Sequence, residues 1–216
     1  YRHSRLLSLN EVGGNPDRFG ISIEEFHDFA VRLQENTPTA MTTLSTHDTK
    51  RGEDVRARIA VLSELAGQWE PAVRRWMALG EKLGCPDPRT GYFFWQTLVG
   101  AWPLDAERAA RYLEKATREA KLFTSWLAPD KAYDRAVRTF VEQVFNNDGL
   151  LADAGMFVAT IEPFAAANSL TQKLIQLAMH GVPNAFHLVI EDFSSFATAV
   201  EGKLIREIAG VRTRRK

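Results

Sequence analysis

Apolar residues recur at the spacing of amphipathic helices through most of this chain, and this pattern constrains its fold more than any other feature. In segment 53–65, for example, Val55, Ile59 and Leu62 share one face, while arginines fall on the other. Strands are predicted at only three places, residues 6–10, 42–45 and 186–190. The pattern therefore predicts a mainly α fold and does not supply the alternating strands of a complete α/β barrel. Helices are predicted at residues 24–33, 53–65, 71–83, 93–100, 105–121, 133–145, 150–161 and 169–179.

Capping and helix-breaking residues predict several of the helix boundaries. Ser22 and Glu25 have the spacing of a capping box, and Asp105 is expected to cap the helix that follows it. Gly67 is expected to end one helix, and Pro71 is expected to occupy the first position of the next.

Composition limits the kinds of partner that the chain is expected to have. The 27 Lys and Arg residues are balanced by 27 Asp and Glu residues, so no excess of positive charge indicates nucleic acid or an anionic membrane as a partner. A single cysteine, Cys85, excludes an intrachain disulfide and fits a reducing cytoplasm. No run approaches the roughly 20 apolar residues needed to span a bilayer. We therefore expect a cytoplasmic protein.

Segment 45–51, Ser-Thr-His-Asp-Thr-Lys-Arg, places an imidazole beside a carboxylate between a short apolar stretch and a charged helix start. A strand that ends and turns into a helix exposes the residues at its carboxyl end, where α/β barrels carry their chemistry. There Asp48 can accept two hydrogen bonds from sugar hydroxyls and His47 can donate one. The alternative is structural, because Asp48 or Thr49 can simply cap the helix that begins near Gly52.

The extended segment 45–58 resembles the fourth conserved region of maltooligosyl trehalose synthases. These enzymes belong to the α-amylase-like glycoside hydrolase superfamily, family 13, and rearrange the reducing end of a maltooligosaccharide. The resemblance covers about residues 1–184. At its end His180 stands where the family has Pro, and Asn184 where it has Asp. Other stretches resemble the same family in the same order, at residues 7–16, 25–27, 92–103, 118–121, 124–126 and 181–184.

The resemblance implies that the chain holds the C-terminal part of a catalytic (β/α)8 barrel together with a helical insertion. Residues 1–52 would be a partial barrel segment, with residues 42–45 as its seventh strand. Residues 53–164 would be the insertion, and residues 165–184 would return to the barrel at its eighth strand. Residues 185–216 form a divergent tail, for which a truncated or frame-disrupted copy of the family sequence is the hypothesis.

The resemblance also implies an activity and the residues that carry it. The family performs an intramolecular transglucosylation that converts a terminal α-1,4 link into an α,α-1,1 link in trehalose biosynthesis, and no metal or organic cofactor is implied. Asp48 matches the carboxylate that stabilises the transition state, and His47 matches the sugar-binding imidazole. Lys50 and Arg51 match the family string, either as contacts to the neighbouring glucose or as partners of nearby acidic residues.

The resemblance implies a maltooligosaccharide as the substrate. Because the family's nucleophile and general acid lie on earlier barrel strands, the missing N-terminal barrel segment is the second expected partner. We expect the chain alone to be inactive, helical and poorly soluble. The alternative function is a non-catalytic helical domain that binds sugar or another protein.

Other polar and aromatic residues carry weaker predictions. Asn10 and Glu11 follow an apolar segment and could line a cleft, but a hydrogen-bonding role in a loop is at least as well supported for this pair. His27 and His180 are isolated from other metal-binding residues, which is typical of structural histidines. The aromatic residues of segment 92–95, and Trp102 after it, could stack on sugar rings, but aromatic residues at helical spacing are more often core residues.

Overall fold

A computed structural model describes residues 1–183 of the chain and shows a mainly helical protein. This part of the chain contains seven α-helices, one 3-10 helix at Leu7–Leu9 and two short strands, β1 (Met41–Thr42) and β2 (Val182–Pro183). The mainly α prediction is confirmed. The helices are α1 (Ile23–Asn36), α2 (Glu53–Glu64), α3 (Ala66–Lys82), α4 (Pro88–Gly100), α5 (Ala106–Ala120), α6 (Lys131–Phe145) and α7 (Asp148–Ala178).

The chain divides into two compact units. One, the helical unit, consists of Tyr1–Gly20 and His47–Ala165. The other, the strand unit, consists of Ile21–Thr46 and the residues from Ala166 onward. The boundaries predicted from the family resemblance remain a prediction, because they follow the layout of a complete enzyme.

Aspartate side chains cap three consecutive helices of the helical unit. Asp87 accepts a hydrogen bond from the backbone N–H of Thr90 at the start of α4, and Asp105 accepts one from Arg108 at the start of α5. Asp130 accepts two such bonds at the start of α6. Each bond satisfies an N–H group that has no partner within its own helix, so these starts follow from local chemistry.

Helix α4 lies at the centre of the helical unit. Phe94, Trp95 and Leu98 are fully buried, because α2, α3 and α5 all pack against this helix. The crossing with α2 is close: a Cβ atom at Gly100 would lie 2.6 Å from Cγ1 of Ile59. The prediction that the aromatic residues of this segment are core residues is therefore confirmed.

The fully buried Gln96 of α4 holds the N-terminal segment of the helical unit in place. Its side-chain oxygen accepts a hydrogen bond from the Leu7 backbone N–H at 2.9 Å, and its NH2 group donates to the Ser4 carbonyl at 2.8 Å. A strand predicted at residues 6–10 is wrong, since the chain forms the 3-10 helix there. The local bonds from Leu9 N–H to Leu6 and from Asn10 N–H to Leu7 replace the partners that a strand would need.

Two further helix boundaries differ from the prediction. Helix α3 starts at Ala66 and contains Gly67 and Pro71, which were expected to separate two helices. Pro71 has no N–H group to bond the Gly67 carbonyl, so this helix tolerates the loss of one backbone hydrogen bond in its second turn. Helix α7 is continuous from Asp148 to Ala178 through Pro163, instead of forming two helices at 150–161 and 169–179.

Helix α7 is also long and apolar enough to cross a membrane by length and composition alone. In the helical unit, however, Leu150, Ala154, Val158 and Ile161 are buried against the core. The same composition is typical of a core helix, so this finding is weak evidence for a membrane span.

In the strand unit, β1 and β2 pair in parallel, with Met41 opposite Val182. The NH2 group of Gln176 donates to the Thr42 carbonyl at 2.8 Å and links α7 to β1. Helix α1 begins with the predicted capping box, because Ser22 and Glu25 each bond the backbone N–H of the other. Parallel pairing is the arrangement of neighbouring barrel strands, but a barrel is a prediction beyond these two strands. The strand predicted at 186–190 and the tail at 185–216 lie outside the described residues.

Candidate functional site

The side chains of His47 and Asp48 lie next to each other on an exposed loop of the helical unit, five residues before α2. His47 Nε2 lies 3.4 Å from Asp48 Oδ2, and the two side chains are 91% and 65% exposed. Both groups are therefore accessible to a ligand, and together they offer two carboxylate acceptors and an imidazole N–H donor. Asp48 does not occupy the position directly before α2, because that helix begins at Glu53 with Gly52 as its N-cap.

The carboxylate of Glu11 anchors the backbone that follows this pair. One of its oxygens accepts the backbone N–H of Lys50, and the other accepts that of Arg51 at 3.1 Å. Charge-assisted bonds of this kind are stronger than bonds between neutral groups. Glu11 therefore ties the N-terminal segment to the loop, which confirms the loop hydrogen-bonding role predicted for it.

Arg51 is turned into the protein, with only 6% of its surface exposed. Its Nη1 donates to the carbonyl oxygens of Leu7 at 3.2 Å and Asn10 at 3.0 Å. The guanidinium carbon also lies 5.7 Å from the centre of the Phe93 ring. Of the four predicted site residues, Arg51 is the one whose side chain binds the protein interior.

The side chain of Lys50 is neither fully exposed like that of His47 nor buried like that of Arg51. Its side-chain nitrogen is 5.5 Å from the centre of the Tyr1 ring, within the range of a cation–π contact, and the residue is partly exposed. The structure thus brings His47, Asp48 and Lys50 to accessible positions and places Arg51 beneath them.

Two further residues hold this loop: Gln96 was not predicted as part of the site, and Asn10 was predicted, with Glu11, only as a loop or cleft residue. Gln96 fixes the N-terminal segment, and Asn10 contributes its carbonyl to Arg51 and its side-chain NH2 to the His3 carbonyl at 2.8 Å. A glutamine among the aromatic and aliphatic residues of helix α4 was the available signal, because a fully buried amide needs hydrogen-bond partners. For Asn10 the sequence indicated a polar residue after an apolar segment, but its partner Arg51 could not be read from the sequence.

The two other histidines considered, His27 and His180, belong to the strand unit. His27 is exposed on α1 and His180 follows α7 in the strand unit. Within residues 1–183, no group of three His, Cys, Asp or Glu side chains is arranged to hold a metal ion.

No protein-family model matches the chain. Similar sequences include proteins from two strains of Mycobacterium tuberculosis that are assigned as maltooligosyl trehalose synthases. Each is 43% identical over 194 residues, which are 86% of this chain and 25% of the relative. This chain therefore spans about a quarter of the length of the curated relatives that it matches.

Solved structures give the same result. The DSM5389 glycosyltrehalose synthase is 40% identical with a TM-score of 0.79, over 84% of this chain and 25% of that one. Maltooligosyltrehalose synthase from Arthrobacter ramosus is 37% identical with a TM-score of 0.75, over 83% and 23%. The hypothetical maltooligosyl trehalose synthase of Sulfolobus tokodaii is 31% identical with a TM-score of 0.78, over 84% and 26%. Over most of its length the chain is thus homologous to one quarter of a maltooligosyl trehalose synthase.

Proposed function

We propose that this chain supplies the carboxylate Asp48 to the active site of a maltooligosyl trehalose synthase. The reaction would move the reducing-end glucose of a maltooligosaccharide from an α-1,4 link to an α,α-1,1 link. The observation that carries the proposal is the exposed His47–Asp48 pair, which stands on a loop anchored from the protein side. Polar groups that are exposed on a loop held by hydrogen bonds suit a site that must be complementary to a transition state.

In this proposal the Asp48 carboxylate binds sugar hydroxyls and stabilises the positive charge that develops on the ring at the transition state. His47, 3.4 Å away, donates a hydrogen bond to a neighbouring hydroxyl. Lys50 contacts the adjacent glucose. These roles use only the groups that the loop exposes.

For Arg51 we propose a positioning role instead of a sugar contact. Its side chain is buried, and it bonds two carbonyls of the N-terminal segment while its own backbone N–H bonds Glu11. Through its side chain and its backbone, Arg51 thus fixes the loop to residues 7–11 of the N-terminal segment. Arg51 would then act on the substrate only through the placement of His47 and Asp48.

A retaining glycosidase mechanism needs a nucleophilic carboxylate and a general acid in addition to the stabilising carboxylate. On the family resemblance these two groups come from residues outside this chain, so we expect the chain alone to be inactive. The proposed substrate is a maltooligosaccharide, and the proposed location is the cytoplasm.

The test is a chimera in which residues 1–183 replace the equivalent quarter of a solved relative, followed by Asp48→Asn. This isosteric change removes the charge and should lower kcat about a thousandfold or more, because about 4 kcal/mol of transition-state stabilisation is lost. Asp28→Asn, at an exposed position of α1, is the matched control and should leave activity unchanged. An active chimera whose Asp48→Asn variant stays within about tenfold of it would refute the role of Asp48.

His47→Ala in the same chimera separates the roles of the two neighbours. A neutral imidazole contributes hydrogen bonds worth roughly 1–3 kcal/mol when its partner is left unpaired, so activity should fall less than with Asp48→Asn. Loss of the ring should also admit water, so free glucose should rise relative to the trehalose-type product. Chromatography of both products measures this ratio, and an unchanged ratio with complete loss of activity would contradict the assignment.

A further inference from the structure

A cavity of about 150 Å³ lies in the helical unit between the start of α2 and helices α4 and α5. Its volume is well above the roughly 10–15 Å³ that one water molecule needs. Three cationic side chains line it, and among the described residues no acidic side chain does. The lining residues are Lys50, Arg51, Gly52, Val55, Thr97, Ala101, Leu104, Arg108 and Tyr112.

Buried hydrogen-bond donors face this cavity without partners. Nε and Nη2 of Arg51 are fully shielded from solvent and have no hydrogen-bond partner within residues 1–183, although the residue is 6% exposed. The hydroxyl of Tyr112 is likewise buried, and it lies close enough to the Arg51 guanidinium to accept a hydrogen bond from it, but its own O–H group has no acceptor in this part of the chain. A buried donor left unpaired costs about 1–3 kcal/mol, so native proteins normally supply an acceptor.

The ionisation state of these groups favours an acceptor that is negatively charged. Desolvation raises the pKa of the Tyr112 hydroxyl well above its ordinary value of 10, so this group stays a neutral donor at neutral pH. Arg51 remains charged. Glu11 is the carboxylate whose charge acts on Tyr112, and its oxygens accept the backbone N–H groups of Lys50 and Arg51.

Gly52, the N-cap of helix α2, also lines the cavity and has no side chain to cap the first turn. Helix N-termini attract anions through their backbone N–H groups and the helix dipole. That turn already carries the carboxylates of Glu53 and Asp54, so the preference for an anion rests on the arginines of the cavity.

We propose that this cavity is a binding site for a small oxyanion, either inorganic phosphate or the carboxylate of a small acid, held by Arg51, Tyr112 and Arg108. Because Arg51 also bonds the N-terminal segment and lies directly after Lys50, a bound anion would stiffen the loop that carries His47 and Asp48. The proposal does not depend on the proposed catalytic function.

The test is titration of phosphate, sulfate and acetate into the intact chain, followed by calorimetry and by the shift in thermal midpoint. Tyr112→Phe removes only the hydroxyl and keeps the ring that stacks on Phe93. This change should weaken binding about fivefold, and Arg108→Gln should weaken it at least about threefold. The control for the first is Tyr92→Phe, whose hydroxyl bonds the Arg5 carbonyl outside the cavity. The control for the second is Arg111→Gln, one turn further along α5.

Saturable binding of one anion per chain, weakened by the two cavity variants and unchanged in the two controls, supports the site. A preference for phosphate and sulfate over acetate, or the reverse, identifies which oxyanion it takes. Absence of saturable binding up to about 10 mM would overturn the proposal, because ordered water then satisfies the donors. Equal weakening in Arg108→Gln and Arg111→Gln would overturn it as well, since binding would then follow net charge.

Discussion

Replacing Glu11 by Gln tests how the loop that carries His47 and Asp48 is held. In the native protein the two carboxylate oxygens of Glu11 accept the backbone N–H groups of Lys50 and Arg51. Glutamine keeps one acceptor and presents an NH2 donor to the second N–H. One bond is therefore lost, and the remaining bond is no longer assisted by charge.

The magnitude follows from these two bonds. A hydrogen bond to a charged group contributes about 1.5–3 kcal/mol, and a neutral one about 0.5–1.5 kcal/mol. Glu11 is half-exposed, so water recovers part of the loss. We expect local opening of the loop to become easier by about 1–3 kcal/mol. Hydrogen exchange at the amides of Lys50 and Arg51 should accelerate roughly 5- to 100-fold.

Glu81→Gln is the matched control, because Glu81 is exposed on α3 in the same unit. It should leave the exchange of both amides unchanged. Native-like exchange at Lys50 and Arg51 in a folded Glu11→Gln variant would show that the carboxylate does not anchor the loop. Acceleration throughout the helical unit would show instead that the change acts on global stability.

Two further changes test the packing and electrostatics of the helical unit. Gly100→Ala should lower the free energy of unfolding by about 1–3 kcal/mol, because the new Cβ would lie 2.6 Å from Ile59 Cγ1. Gly67→Ala is the control: its Cβ would meet open space, so this change should raise the free energy of unfolding. Denaturant titration measures both values. The Trp76 indole N–H donates to the Asp153 carboxylate and lowers the pKa of that group. The ionised carboxylate therefore stabilises the folded protein above its ordinary pKa of 3.8, and this stabilisation is lost as the pH falls through the lowered pKa. Asp153→Asn should remove that acid dependence from stability measured between pH 2 and 6; an unchanged dependence would refute it.

Local chemistry was readable from the sequence wherever a residue acts on its immediate neighbours. The capping box of Ser22 and Glu25 and the cap at Asp105 form as predicted, since the partners are backbone N–H groups three residues away. The apolar stripes predicted the mainly α fold for the same reason, because their spacing is set by one helix at a time. The adjacency of His47 and Asp48 is likewise part of the sequence.

Tertiary structure decided the features that depend on distant partners. Pro163 lies inside one long helix rather than between two, although a proline commonly ends a helix. Segment 7–9 became a 3-10 helix because the amide of Gln96 takes the Leu7 N–H from 89 positions away. The burial of the Arg51 side chain could not be predicted from the sequence either, since the carbonyls that it binds lie more than 40 residues before it in the chain. The sequence thus determined which groups stand side by side along the chain, while packing decided whether a cation such as Arg51 faces solvent or the protein interior.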